Sequence, residues 1–220
     1  MAAAKQLPRP RHRWFAFIYA KFIEPSDRKT VGPLRRFAAG GAHGRVLEIG
    51  AGTGANLDFY DWSRVDSLEM TEPDPFMAQR IQPRLEGLPA DVRAKVHVSD
   101  APAEQLPFGD GEFDCAVVTL VLCSVSDPAA AIAELRRVLK PGGELRLVEH
   151  VKGEGKRAAF QSIVQPVYGW TSGNCQLSRR TEDALRAGGF EVNVTQRTAL
   201  GPLWPAFVGT ASRRDSLAGT

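Results

Sequence analysis

The sequence predicts an α/β fold in which a mostly parallel sheet is covered by helices on both faces. Short apolar runs alternate with amphipathic segments along the 220 residues, and this alternation is typical of parallel strands joined by helices. The first strand-like run, Val46 to Ile49, leads into glycines at positions 50, 52 and 54, which predict a tight turn after a buried strand. With 43% hydrophobic residues, the chain can form one well-buried core.

Two helices are predicted before the sheet. The apolar segment Trp14 to Phe22 has helical length and should end at Pro25, which lacks a backbone donor. The amphipathic segment Arg28 to Ala39 follows, with apolar residues at helical spacing. The first segment has too many large apolar groups for an exposed helix. We therefore expect it to cover the sheet edge or to close over a binding site as a lid.

The remaining elements follow from their apolar periodicity. Strands are predicted at 45–49, 65–71, 94–98, 114–120 and 144–150, and helices at 55–61, 75–86 and 127–139. Near the end, a helix over Thr181–Ala187 is terminated by Gly188-Gly189. Two strands follow, Phe190 to Thr198 and Ala206 to Ala211, and the short Gly201-Pro202 turn between them predicts an antiparallel pair.

Charge and cysteine content argue against several classes of function. The net charge is +3 and the basic residues are scattered, so no nucleic-acid surface is predicted. The three cysteines form no C-x-x-C pair, which favours a reducing cytoplasm. The four histidines lack metal-ligand spacing, so we expect no metal. No apolar run is long enough to span a membrane.

The glycine turn and the acid after it predict a site for a nucleoside cofactor. Positions without side chains let backbone N–H groups approach a ligand closely. Glu72 comes about 20 residues after Gly50, at the end of the next strand, where a carboxylate would bind ribose hydroxyls. The sequence from Gly50 to Ala55 also fits the dinucleotide pattern G-x-G-x-x-G/A. This pattern by itself leaves an NAD enzyme open.

Several separated motifs follow in a fixed order. They are Asp100-Ala101-Pro102 and onward to Phe108, Gly111-Glu112-Phe113-Asp114, the apolar run Cys115 to Leu122, and Leu139-Lys140-Pro141-Gly142-Gly143. In this order they resemble the class I S-adenosylmethionine-dependent methyltransferases, over about residues 30–211. The resemblance implies a Rossmann-like, seven-stranded sheet with an antiparallel C-terminal hairpin. It also implies S-adenosylmethionine as cofactor and S-adenosylhomocysteine as product, whereas an NAD enzyme would leave the later motifs without a role.

The same resemblance implies the residues that hold the cofactor. They are Glu48, Gly50, Gly52, Gly54, Glu72, Asp100, Ala101 and Thr119. Glu48 would meet the ammonium group, Glu72 the ribose, Asp100 and Ala101 the adenine, and Thr119 the transferred methyl. Glu48 and Asp100 could instead cap neighbouring helices, and both alternatives stay open.

Three further segments indicate a branch of this family. They are Thr119 to Val125, Val148 to Val151 and Gly173 to Leu177, and together they resemble the small methyltransferases that include the alkyl thiol methyltransferases. The expected acceptor is therefore a thiol. The alternatives are O- or C-methylation of a phenol or quinone-type metabolite, and a non-catalytic cofactor-binding protein. Animal members of the branch carry an N-terminal membrane anchor, whereas this chain has only the shorter apolar segment near its start.

His150 is the candidate catalytic residue. It ends the fifth strand, at the ligand edge of such sheets, and an imidazole suits removal of a thiol proton. A histidine bonded to a nearby loop is the structural alternative, and Asp58 and Tyr19 are other candidate bases. We expect Cys123 and Cys175 to be packing residues rather than nucleophiles. The predicted substrate pocket consists of Tyr19, Leu122, Cys123, Trp170 and Asn174.

One catalytic domain with small appendages is expected. Residues 1–13 would be a disordered basic start, 14–40 a helical lid, 41–211 the methyltransferase domain, and 212–220 a flexible tail. Within the domain, 153–180 would be an insertion on the substrate side. The expected protein is cytoplasmic and metal-independent and acts on a small hydrophobic molecule.

Overall fold

Seven strands form one sheet in the computed structural model, which describes residues 13–200 and 204–213 without the side chains of Trp170 and Thr171. The sheet order is β3-β2-β1-β4-β5-β7-β6. The strands are β1 (Gly44–Ile49), β2 (Val65–Thr71), β3 (Val96–Ser99), β4 (Phe113–Thr119), β5 (Leu139–His150), β6 (Phe190–Ala199) and β7 (Pro205–Arg213). The expected disordered start, the Gly201-Pro202 turn and most of the polar tail lie outside the described residues.

The first five strands are parallel to one another, and β7 is antiparallel to both β5 and β6. This arrangement confirms the mostly parallel sheet with an antiparallel C-terminal hairpin. It also brings the carboxyl ends of β1, β2, β4 and β5 to a common edge of the sheet. Ligands bind at this edge in open α/β sheets.

The helices surround this sheet. They are α1 (Arg13–Ile18), a π-helical turn (Tyr19–Ile23), α2 (Glu24–Thr30), α3 (Gly32–Ala38), α4 (Pro75–Ala78), α5 (Ile81–Glu86), α6 (Ala90–Arg93), α7 (Pro128–Val138), α8 (Gly155–Thr171) and α9 (Thr181–Ala187). Among the described residues, no helix combines the length and the apolar character that crossing a bilayer requires.

Alternate residues of the central strands pack into two cores, one on each face. Leu47 and Val118 point to the face covered by α7 and α9, where Leu135 is fully buried. Val46 and Val117 point to the other face, which α3 and α5 cover. Because strand side chains alternate between faces, this pairing confirms the prediction of helices on both sides.

The predicted helix at 55–61 is wrong, because the chain forms a series of turns there. Gly50, Gly52 and Gly54 have positive φ angles of 57°, 61° and 78°, which lie outside the right-handed helical region. Beyond them, backbone bonds join residues three apart, such as Leu57 N–H to Gly54 O at 3.1 Å. The Asn56 side chain is bonded to residues of β1 and β4 and holds this segment against the sheet.

Pro25 does not end the first helix as expected. The π-helical turn before it lets the Glu24 N–H bond to Tyr19 O, and the helical path continues through α2. The break falls instead at Val31, just before Pro33. Proline cannot donate to the carbonyl four residues earlier, so the helical ladder is interrupted there.

Two further boundaries differ from expectation for local reasons. The helix expected at 75–86 is divided into α4 and α5, because Pro83 has no N–H to donate to Gln79 O. Strand β5 already begins at Leu139, but residues 140–143 are looped out of its pairing with β4. The expected turn over Leu139 to Gly143 therefore exists as an irregularity within the strand.

Candidate active site

A cavity of about 870 Å³ lies at the carboxyl ends of β1, β2, β4 and β5. Its wall combines the glycine turn after β1, the residues that follow β4, one face of the N-terminal helical segment, and the end of α8 with the loop after it. Cavities at this position of a parallel sheet are the usual ligand sites of the fold.

Gly50 and Gly52 line the cavity, and a side chain at Gly50 would require Val121 to shift. A Cβ there would lie 2.6 Å from Val121 Cγ1, directly after β4. Gly54 lies outside the cavity wall. A Cβ added to Gly54 would lie 3.1 Å from Leu57 and 3.4 Å from Arg84. Gly50 thus allows Val121 to pack closely against the turn, and Gly54 allows close packing behind it.

Glu72 follows β2 and binds the glycine turn through its carboxylate. Its Oε2 accepts a hydrogen bond from Gly52 N–H at 2.7 Å, and its Oε1 accepts one from Asp74 N–H at 2.9 Å. Burial raises the pKa of Glu72 to about 7. Each carboxylate oxygen can accept more than one hydrogen bond, so the group can still receive ribose hydroxyls.

Glu48 is buried in a polar network against the cavity. Its carboxylate accepts hydrogen bonds from Tyr60 OH at 2.6 Å and from Asn56 Nδ2 at 3.0 Å. Asn56 Nδ2 also donates to Thr119 Oγ1 at 3.2 Å, and Asn56 Oδ1 accepts from Arg35 Nη1 at 2.8 Å. Burial raises the pKa of Glu48 to about 7. The alternative role as a helix cap is excluded, because turns rather than a helix follow β1.

Some of the sequence-predicted site residues lie outside the cavity wall. Asp100 is exposed after β3, and Ala101 is buried beside it, while Pro102, Ala103 and Glu104 line the cavity instead. Their contact with adenine stays a prediction. Leu122 packs in the core on the α7 face, and the Trp170 side chain lies outside the described residues.

The N-terminal helical segment lines the cavity with every fourth residue. These residues are Phe15, Tyr19, Ile23, Asp27, Val31 and Arg35. Tyr19 OH donates to Asp27 Oδ2 at 3.3 Å, and burial raises the pKa of both groups. Trp14 and Phe22, on other faces of the segment, are 79% and 63% exposed. The segment therefore covers the site, and its movement as a lid stays a prediction.

Glu24 fastens this helical segment to the glycine turn. Thr53 Oγ1 donates to Glu24 Oε2 at 2.7 Å, and Arg84 binds the other carboxylate oxygen. Arg84 also pairs with Asp58 at 3.3 Å, and Asp58 binds Arg28 as well. Asp58, a candidate base in the sequence, is thus paired with two arginines and does not line the cavity.

His150 ends β5 and contributes its buried imidazole to the cavity wall. Its Nδ1 lies 3.6 Å from Cys175 Sγ. Burial acts to lower the pKa of His150, but a hydrogen bond with Cys123 and the nearby charge of Glu149 outweigh it, so the pKa is raised. Asn174 also lines the cavity and donates to Ser124 O at 3.1 Å.

Comparison with known proteins shows which family the chain belongs to. A family model described as a methyltransferase domain matches residues 47–147. The human thiol S-methyltransferase TMT1B is 34% identical over 181 residues, which cover 76% of this chain and 71% of the relative. The chain belongs to the class I S-adenosylmethionine-dependent methyltransferases. Its cofactor is S-adenosylmethionine and its product S-adenosylhomocysteine.

Another relative of this methyltransferase is named for a different methylation reaction. A demethylmenaquinone methyltransferase from Renibacterium salmoninarum is 30% identical over 144 residues, which cover 61% of this chain and 56% of the relative. Among solved structures, the YcgJ protein from Bacillus subtilis has a TM-score of 0.69 and 18% identity, and the match covers 86% of this chain and 100% of that chain. This structural likeness shows the fold.

The methyltransferase contains buried charged groups at its site that sequence reasoning missed. Glu149 is fully buried, and its carboxylate accepts hydrogen bonds from the N–H groups of Val121, Leu122 and Cys123 at 2.7, 2.8 and 3.2 Å. A charge at the end of an apolar strand could have revealed it. Arg35, in contrast, looks like any basic residue of an amphipathic helix, and only the fold shows its contact with Asn56.

The fold also brings together three possible metal-ligating side chains that are far apart in the sequence of this methyltransferase. Possible ligand atoms of Cys123, His150 and Cys175 all lie within 4.8 Å of one another. His150 and Cys175 are 25 residues apart, so histidine spacing along the chain gave no sign of this cluster. All three cysteines of the chain are free.

Proposed function

We propose that this methyltransferase transfers the methyl group to the sulfur of a small hydrophobic thiol. The main support for the proposal is the buried imidazole of His150 in the wall of the cavity. The wall also includes Phe15, Tyr168 and Trp204, and we assign the acceptor to this part of the cavity. Such a wall suits an apolar molecule with one acidic proton. The thiol S-methyltransferase relative supports the same acceptor.

In the proposed reaction, the acceptor thiol gives its proton to His150. S-adenosylmethionine, when bound, would supply an activated methyl group to the resulting thiolate, with its own sulfonium sulfur as the leaving group. The products are a methyl thioether and neutral S-adenosylhomocysteine. The protein contributes alignment of the two sulfur atoms and exclusion of water by the helical segment above the cavity.

We assign the cofactor to the glycine end of the cavity. Glu48 would pair with its ammonium group, Glu72 would accept from its ribose hydroxyls, and Thr119 would border the methyl group. The adenine would then extend toward the segment after β3, where Asp100 and Ala101 lie. The depth of Glu48 and Glu72 in the protein supports this orientation, since buried carboxylates gain most from a charged or hydroxylic partner.

The second candidate function is methylation of a phenol or quinone-type molecule on oxygen or carbon. The demethylmenaquinone methyltransferase relative favours it, and Tyr19 and Asp27 would then offer polar contacts to the acceptor ring. The cysteine pattern, which has no C-x-x-C pair, supports a reducing compartment such as the cytoplasm for either reaction.

A matched acceptor screen distinguishes the two functions. The protein is incubated with S-adenosylmethionine and paired acceptors of equal size, such as an aromatic thiol and the corresponding phenol, and S-adenosylhomocysteine is measured by mass spectrometry. We expect turnover of the thiols and little turnover of the phenols. Methylation of the phenols with no activity on any thiol would overturn the proposal and favour the second function.

A further inference from the structure

We infer that Cys123, His150 and Cys175 form a binding site for a thiophilic divalent cation such as Zn²⁺. The three side chains come from separate parts of the chain, namely the segment after β4, the end of β5 and the loop after α8. Their possible ligand atoms lie within 4.8 Å of one another. Two thiolates and one imidazole are a ligand set that zinc uses when it keeps one coordination position open.

The sulfur and nitrogen ligand atoms of the three side chains determine which metal ions the site would prefer. Sulfur and imidazole nitrogen suit zinc and its neighbours, whereas magnesium and calcium require oxygen ligands. The side chains of Cys123, His150 and Cys175 are 1%, 9% and 5% exposed. Two thiolates neutralise the charge of a divalent cation, so the loaded site would be electrically neutral in this buried environment.

The backbone around the two cysteines holds them in position. Gln176 N–H donates to Cys123 O at 2.8 Å, which joins the loop after α8 to the segment after β4. Gln165 Nε2 donates to Cys175 O at 2.9 Å and fixes the other side of that loop. These bonds do not involve the donor side chains, which remain able to bind a metal.

A basic group, Arg179, lies beside the cluster and binds the backbone of the segment that carries Cys123. The Arg179 guanidinium donates to Leu122 O and Val125 O and interacts electrostatically with Cys123 and Cys175. Glu149 holds the backbone of the same segment through the Cys123 N–H.

All three donors line the cavity, so the open position of the cation would face the space assigned to the acceptor. A cation bound to His150 occupies the lone pair that the proposed reaction uses to accept a proton. We therefore expect stoichiometric Zn²⁺ to inhibit methyl transfer. This consequence rests on the proposed function, whereas the binding site itself does not.

The test uses the full-length protein under reducing conditions that keep the cysteines as thiols. Co²⁺ is added as a spectroscopic substitute for Zn²⁺, since sulfur ligation gives a thiolate-to-cobalt charge-transfer band. We expect one Co²⁺ per chain with this band, and its loss when Zn²⁺ displaces the cobalt. Cys123→Ser and Cys175→Ser should each lose the band, and Cys115→Ser, an equally buried cysteine in β4, should retain it.

Binding of S-adenosylhomocysteine and thermal unfolding identify variants that have failed to fold. For any that fail, the milder variants Cys123→Ala and Cys175→Ala are used instead. No cobalt band in the wild-type protein, or a band that survives removal of both cysteines, would overturn the site. A band lost only in Cys115→Ser would assign the metal to the second cluster, His43, Cys115 and Glu144, and would equally overturn it.

The activity measurement keeps the metal site and the proposed function distinguishable. Cobalt binding with no methylation of any thiol leaves the site standing and rejects the proposed function. Thiol turnover without cobalt binding supports the proposed function and rejects the metal site. Bound Zn²⁺ that leaves thiol turnover unchanged would overturn the predicted inhibition.

Discussion

The carboxylate of Glu72 accepts a hydrogen bond from the backbone N–H of Gly52 at 2.7 Å. One side chain therefore holds the glycine turn against the end of β2 and also faces the cavity. The shape of the turn depends on this group, and in the proposed orientation the binding of the cofactor would depend on it as well. A change at Glu72 should consequently affect the ligand more than a comparable change elsewhere on the strand.

Glu72→Ala should weaken S-adenosylhomocysteine binding by about 10- to 100-fold, since it removes charge-assisted hydrogen bonds worth about 1.5–3 kcal/mol each. Titration calorimetry measures this directly. Glu69→Ala, on the same strand but in a partly exposed position, is the matched control and should bind normally. Normal affinity in a folded Glu72→Ala protein would show that the ribose lies elsewhere.

Cofactor binding near neutral pH should release protons. Burial raises the pKa of Glu48 and of Glu72 to about 7, so each is about half ionised at that pH. An ammonium near Glu48 and hydroxyls on Glu72 favour the carboxylates and lower both pKa values. Affinity for S-adenosylhomocysteine should therefore rise as the pH increases through 7 and then level off.

The proton release can be measured as a dependence of the binding heat on the buffer. At pH 7, the observed enthalpy should differ between phosphate and Tris, which have different ionisation enthalpies. Glu48→Gln should show a smaller difference than the wild-type protein. Equal heats in the two buffers would contradict the predicted role of both carboxylates.

Gly50→Ala should disturb the site more than its backbone strain alone explains. A positive φ costs a non-glycine residue about 1–2 kcal/mol, and at Gly50 the new Cβ would also lie 2.6 Å from Val121 Cγ1. Gly142 has a φ of +73°, but a Cβ added there would have no atom within 4 Å, so Gly142→Ala isolates the strain. Denaturant unfolding should show the larger loss of stability for Gly50→Ala, together with weaker cofactor binding.

The convergence of Gly50, Gly52 and Glu72 on one cavity could be predicted because its signals are local. The glycines and Glu72 occupy fixed places relative to adjacent strands, so their spacing along the chain carries the information. The helix expected at 55–61 is replaced by turns in which the Asn56 side chain bonds to Glu48 and Thr119, and local periodicity does not reveal such contacts. Arg35 and the cluster of Cys123, His150 and Cys175 depend on packing between distant segments, which no local pattern encodes.

His150→Ala should reduce thiol methylation by about 10²–10⁴-fold, the usual contribution of a general base, and should leave the affinity for S-adenosylhomocysteine unchanged. Turnover is measured with the best thiol from the acceptor screen. His97→Ala provides the control, because His97 is exposed on β3 and should not alter turnover. Full activity of a folded His150→Ala protein would remove the imidazole from the proposed reaction.

Glu24→Ala should release the N-terminal helical segment from the glycine turn. The variant loses the bonds to Thr53 and Arg84, so we expect faster proteolysis within residues 13–30 and a larger fall in turnover than in cofactor affinity. Glu86→Ala, at an exposed position of α5, is the control. Unchanged proteolysis and turnover would mean that the segment is held by packing alone.

The contact between Glu24 and Thr53 also has a kinetic consequence. Thr53 belongs to the glycine turn, to which we assign the cofactor, and Glu24 belongs to the segment that covers the cavity. Because we assign the cofactor to the part of the cavity beside this contact, we expect its exchange to require that the contact opens, with the cofactor entering first and the acceptor second. The smaller methylated product would then leave before S-adenosylhomocysteine. In each turnover the Glu24–Thr53 hydrogen bond would break once and form again once. The rate of this cycle would equal the rate at which S-adenosylhomocysteine is exchanged for S-adenosylmethionine.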